Sequence, residues 1–151
     1  MNLFSKEEAV DRFRTLYVLC GAIALSLLMI NVVLTVLFFS GSLPAAFEIP
    51  RAVSLVLFSL GLLLLVAAPA AKRAVFKRAE AEGFDGDRER LFAAYQTSHI
   101  VAFAMREAGG LIGFVLALMT GNPWWSWGLG GAALIAMIVD RPRDARLFWI
   151  N

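Results

Sequence analysis

The sequence predicts an all-α membrane protein, a bundle of four transmembrane helices with both termini in the cytoplasm. Hydrophobic residues make up 60% of the chain and charged residues only 17%, whereas soluble domains are about half apolar and a quarter charged. Three long stretches carry no charge at all, residues 15–47, 52–71 and 108–139. Stretches of this length and character typically cross a bilayer. The 151 residues have room for a single integral membrane domain, residues 1–151.

Turn-forming residues divide the apolar stretches into four spans, at about 16–39, 52–71, 98–120 and 124–139. Glycine, serine and two prolines separate the first two spans, and Gly121-Asn122-Pro123 closes a tight turn between the last two. The charged residues 72–90 predict a loop between the second and third spans, although the second helix is expected to continue to about Glu82. Asp87 is expected to cap a third helix that begins at Arg88.

The N-terminal residues predict a short interfacial helix that runs into the first span. Ser5 and Glu8 have the spacing of a capping box. The apolar residues that follow them recur at helical spacing, which favours a helix lying at the membrane surface.

Lysine and arginine residues lie almost entirely on one side of the predicted spans. The opposite side holds only Arg51. Cytoplasmic segments carry the excess of these residues, so the bias places both termini and the loop in the cytoplasm, in a multi-pass protein of the cell inner membrane. The residues on that side are Lys6, Arg12, Arg14, Lys72, Arg73, Lys77, Arg78, Arg88, Arg90, Arg141, Arg143 and Arg146.

Tryptophan residues mark the predicted membrane surfaces. Trp124, Trp125 and Trp127 open the fourth span, where they fit an aromatic belt at the outer interface. Trp149 lies in an apolar C-terminal tail that is expected to return to the membrane surface. All four are therefore predicted to anchor the protein at an interface.

Small residues at helical spacing predict how the last two spans pack. Such residues let helix backbones approach closely in lipid. The third span has one such stripe and the fourth has another, so these helices are expected to form the closest antiparallel pair. The two stripes are Gly109, Gly113 and Ala117 in the third span and Gly128, Ala132 and Ala136 in the fourth.

Arg106 and Glu107 are ionisable residues inside the third span, and such residues are usually functional or paired. The tight turn predicts that Asp140 and Arg141 lie within a helical turn of them. One interpretation is a structural charge cluster in which Arg106 pairs with Asp140 and Glu107 with Arg141. The alternative is that Glu107, which has apolar neighbours on its own face, carries a proton or a cation.

The third span also resembles the second helix of the proteolipid (c) subunit of rotary ATP synthases. The resemblance rests on Glu107-Ala108, the glycine and aliphatic run at residues 113–118, and Gly121-Asn122-Pro123. It implies that Glu107 would carry the proton. The chain departs from that family in having a charged segment at residues 72–90, a single glycine, Gly61, in the second span, and Arg106 directly before the glutamate.

The remaining residues exclude several classes of function. No nucleophile–base pair or phosphate-binding loop is recognisable, so an enzyme is not expected, and no basic groove predicts nucleic-acid binding. His99 is the only histidine and Cys20 the only cysteine, which predicts neither a metal site nor a cofactor. His99 is expected to be an interfacial polar residue. Two hypotheses remain: an accessory or structural subunit that contacts lipid and packs against other membrane subunits or copies of itself, and a proton- or cation-carrying subunit that uses Glu107.

Overall fold

The computed structural model describes residues 6–42, 49–81 and 88–142, which fold into four α-helices. These are α1 (Lys6–Phe39), α2 (Arg51–Ala81), α3 (Arg88–Thr120) and α4 (Trp124–Val139). The first three are long and apolar enough to cross a membrane, and α4 is a shorter apolar helix. The predicted four-helix bundle is confirmed. The chain is a small membrane protein.

The helices begin and end where the sequence predicts. The second helix continues past its apolar stretch to Ala81 and the third begins at Arg88. The interfacial segment and the first span form one continuous helix, α1, so no separate interfacial helix exists in the described residues. Ser5 and Asp87, the expected caps, lie outside the described residues, as does the C-terminal tail.

The turn between α3 and α4 is short, so α4 begins at Trp124, soon after α3 ends at Thr120. Gly121 has φ of 63°, a left-handed conformation that favours glycine. The side-chain oxygen of Asn122 accepts a hydrogen bond from the backbone N–H of Trp124 at 3.0 Å. These two features reverse the chain within three residues and bring α4 back along α3.

Helix α3 lies at the centre of the bundle and packs against the other three helices. Its contact with α2 is more extensive than its contact with α4, and the predicted antiparallel pair of α3 and α4 forms beside it. The contact with α2 is the larger because α2 has 31 residues and α4 has 16. Gly109 of α3 packs on α2. A β-carbon built on Gly109 would lie 2.9 Å from the carbonyl oxygen of Gly61.

Helix α1 buries only one narrow face. Its buried residues recur three, four or seven positions apart, the spacing of one helix face, and this face contacts α3 and α4. Large apolar side chains cover the other faces; Val18 is 63% exposed and Leu25 is 58% exposed. Lipid tails are the natural neighbours of such a surface. The buried residues are Leu16, Cys20, Leu27, Asn31 and Leu34.

The predicted small-residue stripe of α4 faces away from the interior of the bundle, so its predicted packing against α3 is wrong. Gly128 and Ala132 are exposed and Ala136 is half-buried, whereas a second stripe packs inside the bundle. The buried residues of α4 are Ser126, Leu129, Gly130, Ala133 and Met137. The contact with α1 explains this orientation. A β-carbon built on Gly130 would lie 2.7 Å from the side-chain nitrogen of Asn31, so Gly130 is the glycine that permits close packing.

The predicted stripe of α3 does face inward, but towards two different helices. Gly109 packs on α2, as described above. A β-carbon built on Gly113 would lie 2.8 Å from the carbonyl oxygen of Trp125 and 2.8 Å from the Leu129 side chain, both on α4. Ala117 is buried. The stripe therefore joins α2 and α4 to the central helix.

The tryptophans of α4 divide into one exposed and two packed side chains. Trp124 is 75% exposed. Trp125 meets the ring of Phe58 edge-on at 5.4 Å, and Trp127 donates a hydrogen bond to the Thr35 hydroxyl at 2.8 Å. They thus also fix α4 against α1 and α2. Trp149 lies outside the described residues.

Candidate functional site

Three charged side chains from three helices meet at one end of the bundle. Lys72 of α2 places its Nζ 2.5 Å from Oδ1 of Asp140, the residue that ends α4. Arg106 of α3 places Nη2 2.8 Å from Oδ2 of the same carboxylate. We call Lys72, Arg106 and Asp140 the charge cluster. The predicted Arg106–Asp140 pair is confirmed, and Lys72 is a partner that the sequence analysis missed.

Helix length explains why these residues lie at one level. The charge-free part of α2, residues 52–71, spans about 30 Å at 1.5 Å per residue, the thickness of the hydrocarbon core. Lys72 therefore lies where that core ends, at the far end from the turn between α3 and α4. Because Lys72 binds Asp140 and Asp140 binds Arg106, the whole cluster lies at this boundary. The charge-free run of α2 ends at residue 71, and this was the sequence signal that could have predicted Lys72 as a partner.

The cluster is unevenly buried. The side chain of Arg106 is 5% exposed, while those of Lys72 and Asp140 are 23% and 26% exposed. Nε and Nη1 of Arg106 have no hydrogen-bond partner in the described part of the chain, and its guanidinium carbon lies 5.8 Å from the centre of the Phe103 ring, within range of a cation–π contact. One carboxylate thus lies between two cations, and the charge cluster keeps a net positive charge.

Two opposing effects act on the carboxyl of Asp140. Its burial alone would raise its pKa, but the hydrogen bond from Lys72 and the positive charges of Lys72 and Arg106 outweigh burial and lower the pKa below its ordinary value. Asp140 is therefore ionised at neutral pH. Its contacts stabilise the folded protein above the ordinary aspartate range, about pH 4, and this contribution is lost as the pH falls through the lowered folded-state pKa.

The pH dependence of this contribution can be measured. We expect Asp140→Asn to lower the melting temperature of the protein in detergent throughout pH 5–8. The gap between the two proteins should narrow below about pH 4, because protonation removes the same charge from the native protein. Taking the difference cancels the titration of other carboxyls. A gap that stayed constant down to pH 2.5 would show that the ion pairs do not stabilise the fold.

Glu107 lies beside the cluster but faces a different helix. The Ser26 hydroxyl of α1 donates a hydrogen bond to Oε1 of Glu107 at 3.2 Å, and Glu107 makes no ion pair in the described residues. The expected pair with Arg141 is not formed; Arg141 is exposed and lines a small cleft with Tyr17. Consecutive residues point about 100° apart around a helix, so Glu107 faces α1 when Arg106 faces the end of α4.

A buried polar contact joins α1 to α4 nearer the opposite end. Ser126 donates a hydrogen bond to the side-chain oxygen of Asn31 at 2.6 Å, and the Asn31 amide donates to the carbonyl of Leu27 at 2.7 Å. Asn31 is completely buried. A side-chain amide that forms hydrogen bonds between helices stabilises their association in lipid. Sequence analysis did not predict this pair, although a lone amide in an apolar span was a visible signal.

His99 and Cys20 are both buried in the described part of the chain. His99 is buried within the bundle, with Nδ1 3.0 Å from the carbonyl oxygen of Tyr95, and its predicted interfacial position stays a prediction. Cys20 lies in the apolar core with Leu16 and Phe103. The described residues contain no group of three potential metal ligands among their histidine, cysteine, aspartate and glutamate side chains.

A cleft of about 680 Å³ opens beside the charge cluster, between α2, α3 and the end of α4. We call it the basic cleft. Its apolar lining includes Pro69 and Phe76, and the hydroxyl-bearing residues Tyr95 and Ser98 also contribute. Its charged lining residues are Lys72, Arg73, Lys77, Glu80, Arg106 and Asp140.

Comparisons with protein-family models, curated proteins and solved structures find no match to this chain. The resemblance of the third span to the proteolipid subunit of rotary ATP synthases therefore stays a prediction. The function is argued below from the residues and contacts of this chain.

Proposed function

We propose that the protein is an accessory or structural subunit that packs laterally against a larger membrane complex. The observation that carries this proposal is the outer surface of α1. This helix is 34 residues long and buries one narrow face, which leaves Val18, Leu25 and Met29, among others, at least half exposed. A surface of this kind suits contact with a helix of another subunit as well as with lipid.

The internal contacts support the same proposal. The charge cluster joins α2, α3 and α4, and Asn31 joins α1 to α4 through Ser126. These polar groups hold the helices of the bundle to one another. A rigid bundle with an apolar outer surface is what a packing subunit requires.

Site-specific photo-crosslinking in native membranes tests this proposal. A photoreactive residue at Val18 or Leu25 is expected to yield the same single protein adduct from both positions. The matched controls are Leu16 and Leu27, which are 1% and 0% exposed and should yield only intramolecular products. An adduct of twice the mass of the chain would identify a second copy as the partner. Lipid adducts alone from both exposed positions would contradict the proposal.

A second candidate function is supported by the surroundings of Glu107. Its partner in the described residues is the Ser26 hydroxyl rather than a cation. A carboxyl inside a span without a cationic partner is a candidate carrier of a proton or a cation. The resemblance to the proteolipid helix favours the same role. Transfer across the membrane would also require a path from Glu107 to the opposite end of the bundle.

The packing beyond Glu107 opposes such a path. Leu27 lies on α1 between Ser26 and Asn31, and its side chain packs closely against α3. A β-carbon built on Gly110 of α3 would lie 2.8 Å from the Leu27 side chain. We therefore expect Glu107→Gln to leave the proton permeability of proteoliposomes unchanged. Dicyclohexylcarbodiimide, which modifies protonated carboxyls in lipid, provides a second measurement. Selective labelling of Glu107, together with a proton flux that Glu107→Gln abolishes, would establish the carrier in place of the packing subunit.

We further propose that the charge cluster lies on the cytoplasmic side of the cell inner membrane. The support is the lysine and arginine bias, since the basic residues of α2 that follow the hydrocarbon core, beginning with Lys72 and Arg73, lie at this end.

A further inference from the structure

The basic cleft lies at the depth that lipid headgroups occupy. Its floor includes the charge cluster, which marks the end of the hydrocarbon core. Pro69 lies on the membrane side of Lys72 in α2, and Lys77 lies on the aqueous side. The cleft therefore offers an apolar wall towards the lipid tails and a charged wall towards water, which is the polarity of a phospholipid.

The charge of the cleft is positive. Four basic residues line it against two acidic ones, Glu80 and Asp140. Asp140 already contacts both Lys72 and Arg106. Arg73 and Lys77 are exposed and make no ion pair within the described residues. Two free cations thus lie one helical turn apart at the headgroup level, the spacing of neighbours on one helix face.

Arg106 provides an independent observation. Its side chain is 95% buried, and two of its nitrogens donate no hydrogen bond in the described part of the chain. A buried guanidinium with unused donors raises the positive potential at the cleft wall, because protein surroundings screen its charge less than water does. Anions that bind several N–H donors, phosphate groups above all, match this arrangement.

We propose that the basic cleft binds the phosphate-bearing headgroup of an anionic phospholipid. Arg73 and Lys77 contact the headgroup, Arg106 and Lys72 supply positive potential behind it, and an acyl chain follows α2 past Pro69. Basic pockets between membrane helices are a general means of binding such lipids.

Native mass spectrometry of the full-length protein in detergent tests the proposal. The protein is titrated with phosphatidylglycerol or with phosphatidylcholine, and the bound fraction is measured. We expect one phosphatidylglycerol to bind in preference to phosphatidylcholine. Arg73→Gln and Lys77→Gln should each weaken this binding about fivefold, the contribution of one basic residue near an anionic lipid surface. The matched control is Arg14→Gln, an exposed arginine of α1 that should leave binding unchanged.

Three results would overturn the proposal. Equal binding of the two lipids would show that charge does not select the occupant. Equal effects of Arg14→Gln and Arg73→Gln would show that the cleft is not the site. Displacement of phosphatidylglycerol by millimolar inorganic phosphate would assign the site to a free anion. Arg73→Lys retains the charge and should restore binding, and this rescue separates loss of the site from a loss of folding.

Discussion

Replacing Asp140 with alanine should destabilise the bundle by about 3 kcal/mol, the lower end of the range for breaking a buried ion pair. The substitution leaves the guanidinium of Arg106, 5% exposed, without its counter-charge in a low-dielectric environment. Lys72 is more exposed and can turn towards water. The lower end of the range applies because Asp140 itself is 26% exposed. The free energy of unfolding of the purified protein, measured by denaturant titration in mixed micelles, provides the readout.

A second substitution tests whether Arg106 and Asp140 stabilise the bundle as a pair or independently. Replacing Arg106 with methionine in the Asp140→Ala background removes the orphaned charge, so the double variant should recover most of the lost stability. A double variant as unstable as the sum of the single variants would show that the two residues act independently. That outcome would contradict the assignment of the charge cluster as the contact that joins α2, α3 and α4.

Substituting leucine for Gly113 should cost about 1–3 kcal/mol, the usual penalty for overpacking. Even a β-carbon at this position would lie 2.8 Å from the carbonyl oxygen of Trp125, a backbone atom that cannot move without moving α4. Gly128→Leu is the matched control, because no atom lies within 4 Å of a β-carbon built there. We expect this control to change the unfolding free energy by less than about 0.5 kcal/mol.

The comparison of these two glycines tests which face of α4 packs. Sequence analysis placed Gly113 and Gly128 in the same interface, and the structure separates them. If Gly128→Leu proved as destabilising as Gly113→Leu, the outward-facing stripe of α4 would be packed against protein in the membrane. If neither variant were destabilised, the close contact between α3 and α4 would be absent.

The number of helices and their ends could be predicted because both depend on local properties of the chain. The charge-free runs set the spans, and Gly121-Asn122-Pro123 sets the turn. The expected start of the third helix at Arg88 and the fourth span at residues 124–139 agree with α3 and α4. The ion pair between Arg106 and Asp140 also followed from counting residues along a hairpin.

The rotation of α4 about its own axis, which decides which face packs inside the bundle, could not be predicted in the same way. Gly128 and Gly130 point about 200° apart around the helix, and each has an alanine one turn later, Ala132 and Ala133 respectively. The choice between them depends on Asn31, a residue of another helix about 100 positions earlier. The partner of Glu107 was missed for the same reason: Ser26 belongs to α1, whose position beside α3 no hairpin geometry determines.

We propose that α3 and α4 cross the membrane as a hairpin whose open end carries the charge cluster on the cytoplasmic side. Cysteine labelling with a membrane-impermeant maleimide tests it directly, in a Cys20→Ala background. We expect Asn122→Cys, at the turn between α3 and α4, to react in intact cells. Glu80→Cys, near the end of α2 and exposed, should react only after the membrane is opened. Reaction of Glu80→Cys in intact cells, or equal accessibility of the two positions, would contradict this topology.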